Sequence, residues 1–350
     1  MKVTVNTNLN IRVGNPSVNA PCFSYLKPGD QIEYESIVKG DPYEGNNLWL
    51  KGTDGNYYWS GGTSIQNFDY AQIISHLNID WINSKGKNTT IIVIDSGVAI
   101  DKIHFTPNIV TEIDLTDGNY IERDHGTFIC GITSGNGGYI QGISYAANLI
   151  SVRYKDAHTK LEKMLDNINE ALRKIKFLKE ADKDLQIVVN ISQGFNKYQC
   201  SLYPHKIDEI QDSIKELFSL GVILITAAGE NRDLTDNNLL FPTLLKETIA
   251  VGCISQGYNS YPLSKNIDII TPLTKLNSYD SKFNIIQNEG SSFSTAIITS
   301  IVSLILSRNE NLGEGNISKQ TILNKLIPFQ TNISDFDFDS CSEFYFFITQ

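Results

Sequence analysis

The sequence lacks a long uninterrupted hydrophobic run, a basic stripe and a paired-cysteine motif. Its most apolar stretch, residues 293–306, is interrupted by Thr299, Ser300 and Ser303, which excludes a typical membrane-spanning helix. The formal net charge of −10 argues against a nucleic-acid-binding protein. Five cysteines, an odd number without a Cys-x-x-Cys pair, do not form the pattern of a disulfide framework or a zinc site.

The first residues also lack the apolar segment of a secretory signal. Because the cysteines show no disulfide framework either, we expect a cytoplasmic location by default. A secreted or periplasmic location is the alternative if a leader has been removed from the chain.

Residues 1–66 have the character of a small all-β domain. They contain short apolar runs, many glycines and aromatic residues, and no helical period. Turn-forming segments such as Lys27-Pro28-Gly29-Asp30 separate the runs. The pattern predicts strands at 9–13, 31–38, 48–51 and 57–59.

This segment resembles the bacterial SH3-like domain, through Leu9-Asn10-Ile11-Arg12, the turn at 27–30, Trp49-Leu50-Lys51 and Tyr58-Trp59. The resemblance implies a small barrel. Some members of that family bind cell-wall peptides, whereas many have no assigned ligand. Tyr34, Trp49 and Trp59 are therefore either core residues or the lining of a peptide groove.

Residues 67–350 alternate between strand and helix patterns and predict a second, larger domain. Continuous apolar runs at 89–94, 149–154, 187–191, 222–225 and 248–251 are typical of strands covered on both faces. Helical spacing occupies 70–84, 161–181, 207–220 and 318–326. The alternation predicts an α/β fold with a doubly wound, mostly parallel sheet, in which sites form at the carboxyl ends of strands.

Three side chains in this domain have the chemistry of a nucleophilic site. Asp95 directly follows the first strand, His125 stands at a glycine-assisted entry into an apolar helix, and Ser292 begins the helix at 291–306. A serine in the first helical turn faces unpaired N–H groups that favour a developing negative charge. Taken one at a time, Asp95 is more typical of a turn cap than of a catalytic residue, and the serines are more typical of a helix cap.

Together these motifs resemble the subtilisin family of serine proteases, with the order Asp, His, Ser that this family shows. The resemblance covers residues 70 to about 308. It implies a serine endopeptidase in which Ser292 attacks the peptide carbonyl, His125 transfers the proton and Asp95 orients the imidazole. The matching motifs are Asp95-Ser96-Gly97, His125-Gly126-Thr127, Val189-Asn190-Ile191-Ser192-Gln193-Gly194, Ala227-Ala228-Gly229, Phe241-Pro242, Ile249-Ala250-Val251-Gly252 and Gly290-Ser291-Ser292-Phe293-Ser294.

The resemblance also implies where substrate binds. Ser192, Gln193 and Gly194 correspond to an edge along which a peptide adds as a strand, and Ala228 and Gly229 belong to the same binding region. Gly194 leaves space for a substrate side chain, for which Leu239 and Leu240 would form the floor.

Glu230 departs from the family pattern. The family usually has an asparagine there, which donates to the oxyanion of the tetrahedral intermediate, and loss of such a donor costs about 10²–10³ in rate. An ionised carboxylate at ~4 Å adds repulsion of about 4 kcal/mol at an effective dielectric constant near 20. We expect either a protonated Glu230 or the neighbouring Asn231 to supply the donor. A peptide-binding protein of this fold without catalysis is the alternative.

Further expectations concern ligands and the two ends of the chain. The sequence requires no cofactor and suggests no metal site, and calcium is implied by the family resemblance alone. The SH3-like domain stands where secreted relatives carry an inhibitory pro-domain, so it either covers the active site as in a zymogen or belongs to a protease that needs no pro-domain. Residues 335–339 and 344–348 are predicted to form a final hairpin.

Overall fold

We analysed a computed structural model of the chain. The residues that it describes are 2–44, 46–65, 68–70, 74–99, 105, 109–118, 122–136, 138–230, 234–235, 237–255, 263–308, 318–330 and 346–348.

The N-terminal region is a six-stranded sheet in which every strand pairing is antiparallel, in the order β1-β4-β5-β6-β2-β3. Val3, Leu50 and Tyr58 are among its buried core residues. Trp49 is also buried, and with the half-buried Trp59 and Tyr43 it lines a cavity of about 420 Å³. The strands are β1 (Lys2–Thr4), β2 (Leu9–Arg12), β3 (Cys22–Leu26), β4 (Gln31–Tyr43), β5 (Asn46–Gly52) and β6 (Tyr57–Trp59).

An eight-stranded sheet in the order β18-β15-β14-β13-β12-β8-β11-β9 organises the rest of the chain, and its pairings are parallel except for that of β18. Its strands, with those of two small two-stranded sheets, are β7 (Phe68–Asp69), β8 (Thr89–Asp95), β9 (Ile109–Asp114), β10 (Ile140–Gln141), β11 (Asn148–Arg153), β12 (Gln186–Ile191), β13 (Ile223–Glu230), β14 (Thr248–Ile254), β15 (Ile269–Pro272), β16 (Leu276–Tyr279), β17 (Ile285–Asn288) and β18 (Phe347–Ile348). The α-helices are α1 (Ile79–Ser84), α2 (Asp124–Ser134), α3 (Leu161–Ala181), α4 (Lys197–Leu202), α5 (Pro204–Ser219), α6 (Ser291–Ser307) and α7 (Lys319–Leu326).

Helices cover both faces of this sheet because its central strands are apolar on both sides. Ile91 and Val93 of β8 pack in a core cluster with α2 and α6. The alternate residues Ile92 and Ile94 pack in a second cluster with α3 and α5. This arrangement confirms the doubly wound, mostly parallel α/β fold. Within the described ranges, no helix is both long and apolar enough to span a membrane.

The helix predicted over 70–84 is only partly present in the structure. Residues 79–84 are helical, but residues 74–77 form turns and a bend, and Asn78 caps the helix at 79–84 by accepting from the Asp80 N–H. Residues 335–339 of the predicted final hairpin lie outside the described residues. Phe347 and Ile348 form β18, which pairs with β15 at the edge of the large sheet.

The small domain packs against the large one through Tyr139, which follows α2. This side chain is 2% exposed and belongs to the hydrophobic core of the small domain. Ile285 of β17 packs against the same cluster. Ile140, the next residue, lies beside Gly135 at the C-terminal end of α2, whereas His125 lies in the first turn. An 11-residue helix is about 16 Å long, so this contact and His125 lie at opposite ends of α2.

Candidate active site

The predicted catalytic side chains lie at the carboxyl edge of the large sheet. Asp95 is the last residue of β8, residues 192–194 follow β12, and Glu230 ends β13. Because β8, β12 and β13 are parallel neighbours, their carboxyl ends meet at one edge. The sheet order therefore brings together residues that are far apart in the sequence.

Asp95 and His125 form a close pair. His125 Nδ1 is 2.9 Å from Asp95 Oδ1 and 3.0 Å from Oδ2, and the Ser96 N–H donates to Oδ1 at 2.7 Å. The Asp95 side chain is 1% exposed and that of His125 is 37% exposed. The carboxylate therefore holds one ring nitrogen and leaves Nε2 free to face a substrate.

This pairing shifts the pKa values of both side chains. Burial alone would raise the pKa of the Asp95 carboxyl, but the charge and hydrogen bond of His125, helped by Lys155, hold that pKa below its usual value. Burial alone would lower the pKa of the His125 imidazole, and the neighbouring Asp95 outweighs burial and raises it. Lys155 acts on His125 in the opposite direction and lowers its pKa.

Two glycines bring helix α2 close enough for this contact. A Cβ on Gly126 would lie 2.1 Å from the Gly97 carbonyl oxygen, so only glycine fits there. Gly97 itself has a φ of 92°, a conformation that favours glycine. The Gly126 N–H donates to Ser96 Oγ at 3.1 Å. The glycines that accompany the Asp and His motifs thus set the position of His125 above β8.

Ser292 lies in the first turn of the buried helix α6. Its Oγ donates to the Ser192 carbonyl oxygen at 3.3 Å, and Ser192 Oγ donates to the Ser292 carbonyl oxygen at 3.1 Å. The ring of Phe293 is 5.5 Å from the His125 ring between centroids. Among the hydrogen bonds of the described residues, none joins Ser292 Oγ to His125. In this state the hydroxyl points to Ser192, and apo sites commonly show such loose catalytic contacts.

Glu230 occupies the N-terminus of the same helix. Its Oε1 accepts from the Ser291 N–H at 2.5 Å, whereas the N-cap residue Gly290 provides no side-chain cap. The carboxyl group thus caps the helix from a neighbouring strand and uses one oxygen for that bond. A register shift between Ala227 and Gly229, where Gly229 has a φ of 101°, precedes Glu230.

The other predicted site residues differ in where they lie and in how far they are buried. Ala228 is fully buried, and Gly229 is half-buried beside Glu230. Asn231 lies outside the described residues. A Cβ on Gly194 would lie 2.4 Å from Leu240 Cβ, so the Leu240 side chain fills the space predicted for a pocket in this state. Leu239 is instead 1% exposed and packs in a separate cluster with Leu234.

Lys155 was not among the site residues predicted from the sequence. Its Nζ donates to Gln193 Oε1 at 2.5 Å, beside the predicted substrate edge. The signal was present, because Lys155 directly follows the predicted strand at 149–154, as Asp95 follows the strand at 89–94. Across the described part of the chain, no group of three or more His, Cys, Asp or Glu residues is arranged to hold a metal ion.

An Asp–His pair and a helix-terminal serine at one edge of a doubly wound sheet are the arrangement of a serine-type endopeptidase. The model of the subtilase family matches residues 86–339, and that of the bacterial SH3 domain matches residues 2–65. The chain belongs to the subtilase family.

Individual relatives support this assignment. The chain is 24% identical over 260 residues to the major intracellular serine protease of Bacillus subtilis (strain 168), covering 69% of this chain and 76% of that protein. It is 27% identical over 281 residues to alkaline protease 1 of Aspergillus oryzae, covering 75% of this chain but only 64% of the relative's length.

Solved structures show the same fold. The structure of sphericase superimposes with a TM-score of 0.55 at 19% identity, covering 70% of this chain and 84% of that one. The S41 psychrophilic protease gives a TM-score of 0.54 at 19% identity, over 70% and 83% of the two chains.

Proposed function

We propose that this protein is an active serine endopeptidase that works through Asp95, His125 and Ser292 and an acyl-enzyme intermediate. The observation that carries the proposal is the contact of His125 Nδ1 with the buried Asp95 carboxylate. A serine hydroxyl is a poor nucleophile unless a base removes its proton, and an imidazole fixed at Nδ1 offers Nε2 for that purpose.

The chemistry proceeds in two steps. Ser292 Oγ leaves its bond to the Ser192 carbonyl, gives its proton to His125 and forms a bond to the peptide carbonyl carbon. His125 then donates the proton to the leaving amine as the C–N bond breaks, which leaves an ester on Ser292. Water, deprotonated by His125, hydrolyses the ester. Asp95 stabilises the imidazolium in both steps.

Glu230 completes the oxyanion site in this proposal. The Ser292 N–H at the start of α6 supplies one donor. Glu230 Oε1 is already occupied as an acceptor of the Ser291 N–H, and a proton on Oε2 would make the second donor. A neutral carboxylic acid acts as such a donor in ketosteroid isomerase. Asn231 is the competing donor.

A peptide-binding protein without catalysis is the second candidate. It is favoured by the same Glu230 contact, because a helix N-terminus also stabilises an ionised carboxylate. A negative charge there would repel the oxyanion. This alternative predicts a folded protein that binds peptides along residues 192–194 and has no activated nucleophile.

Labelling by a fluorophosphonate probe, read by intact mass, separates the two candidates. We expect one adduct on the full-length chain, none on Ser292→Ala and one on Ser291→Ala, which removes the adjacent hydroxyl but keeps the backbone. No adduct on the folded wild-type chain across pH would contradict the peptidase and favour the binding protein.

The SH3-like domain does not act as an active-site cover in this proposal. Its contact through Tyr139 lies at the far end of α2 from His125. Peptide binding by the domain would use the cavity beside Trp59. Nuclear magnetic resonance shifts of the Trp59 indole on addition of product peptides test that use, and unchanged shifts argue against it.

A chain of residues 67–350 tests the cover hypothesis. We expect its labelling rate to match that of the full chain, whereas its melting temperature falls because Tyr139 and Ile285 become exposed. A matched variant, Tyr139→Ala in the full chain, should also lower the melting temperature. Markedly faster labelling after the truncation would show that the domain does obstruct the site.

A further inference from the structure

A lysine bridges two strands above the catalytic pair. Lys155 follows β11, and Gln193 follows β12 by two residues. These strands flank β8 on opposite sides, so the 2.5 Å bond from Lys155 Nζ to Gln193 Oε1 spans the end of the strand that carries Asp95. Lys155 is therefore held at the catalytic centre by its position at the end of a sheet strand.

The ammonium group lies close to the reacting residues. Its charge lowers the pKa of both His125 and Asp95. It also lies 5.6 Å from the centroid of the Tyr154 ring, within the range of a cation–π interaction. Its partner Gln193 is adjacent to Ser192, whose carbonyl oxygen accepts from Ser292 Oγ.

Lys155 has an amide partner where a carboxylate would be expected. Among the ion pairs within 4.0 Å that involve described residues, none includes Lys155. Other lysines of this acidic chain, such as Lys176 and Lys206, have carboxylate partners. The half-buried cation beside the substrate edge is thus the one that an incoming carboxylate would complement.

We propose that Lys155 makes the enzyme select peptides that carry Asp or Glu within two residues of the scissile bond. The inference rests on the proposed function and adds a substrate class to it. A peptide that pairs along residues 192–194 points alternate side chains to opposite sides of the added strand. Side chains on one side of the added strand would face Leu240 beside Gly194. Side chains on the other side would face the Lys155–Gln193 bridge. An acidic side chain on the second side would replace Gln193 as the partner of Nζ.

The test uses pairs of quenched fluorescent peptides that differ only by Glu or Gln, scanned over the two positions on either side of the cleavage site. In the wild type we expect the Glu peptide to have about 10-fold higher kcat/KM at one position, a size suited to a partly exposed ion pair. Lys155→Met, which keeps an apolar stem but removes the charge, should reduce this ratio to about 1. Lys155→Glu should invert it, so that the Gln peptide is cleaved faster than the Glu peptide.

Lys163→Met is the matched control, because Lys163 is exposed on α3, and it should keep the wild-type ratio. Fluorophosphonate labelling of every variant shows whether the nucleophile is intact. If labelling is normal and the ratio of kcat/KM for the Glu and Gln peptides is the same in the wild type and in Lys155→Met, this inference is wrong. The proposed peptidase activity is then unaffected.

If the folded wild type is not labelled, the proposed peptidase activity is wrong. A peptide-binding experiment then tests the inference about Lys155. Fluorescence anisotropy with Ser292→Ala, which binds without cleaving, should give tighter binding of the Glu peptide, and Lys155→Met in that background should abolish the difference. Equal affinities for the Glu and Gln peptides would overturn the role of Lys155.

Discussion

We expect Asp95→Asn to lower kcat by about 10⁴-fold with little change in the fold, because the carboxylate fixes the imidazole tautomer. An amide can donate to Nδ1, which would place the imidazole proton on Nε2, where the base must be free. Steady-state cleavage of a peptide substrate measures the loss. Asp117→Asn, an exposed aspartate outside the site, is the control and should keep wild-type kcat.

A pH profile distinguishes this role from a purely structural one. The active enzyme needs neutral His125, so kcat/KM rises as pH rises through the pKa of the imidazole. Because Asp95 raises that pKa, the wild-type midpoint should lie above the ordinary histidine value of about 6.5. In Asp95→Asn the raising influence is gone, burial and Lys155 remain, and the midpoint should move to lower pH. An unshifted midpoint would argue that Asp95 does not act on His125.

We expect Glu230→Gln to keep at least the wild-type kcat and Glu230→Met to lower kcat by about 10²–10³-fold. The glutamine carbonyl can accept from the Ser291 N–H while its amide donates to the oxyanion, and methionine can do neither. If the wild-type carboxylate is ionised and repels the oxyanion, Glu230→Gln becomes faster than the wild type. Both cases are measured with a peptide substrate under single-turnover conditions.

Two controls accompany the Glu230 variants. Glu289→Gln removes one exposed carboxylate next to Gly290 and should leave kcat unchanged. Asn231→Ala should also leave kcat unchanged if Glu230 is the donor. Unchanged kcat in both Glu230→Gln and Glu230→Met, together with a loss in Asn231→Ala, would assign the donor to Asn231.

The large sheet followed from a simple rule, whereas the pairing of Asp95 with His125 was implied by the family resemblance. Apolar runs such as 187–191 became strands covered on both faces, and the residue after the first run, Asp95, meets His125 as the family motifs imply. The rule succeeds because parallel strands share one edge. It does not depend on any individual side-chain contact.

Contacts between distant segments could not be predicted from the sequence. The 2.5 Å bond of Glu230 to the Ser291 N–H depends on how β13 ends, which a register shift near Gly229 decides. The Lys155–Gln193 bridge depends on the distance between strands on either side of β8. The continuous helical pattern also failed to reveal Asn78, whose side chain begins a new helix by accepting from the Asp80 N–H.

The Tyr139 contact makes the two domains thermodynamically dependent on each other. The small sheet completes its core with a side chain that belongs to the large domain, so neither part can unfold without exposing apolar surface of the other. A ligand that binds the folded SH3-like domain would therefore raise the melting temperature of the peptidase as well, by linkage through this shared core. Tyr139 thus couples the stability of the catalytic domain to ligand binding by the SH3-like domain.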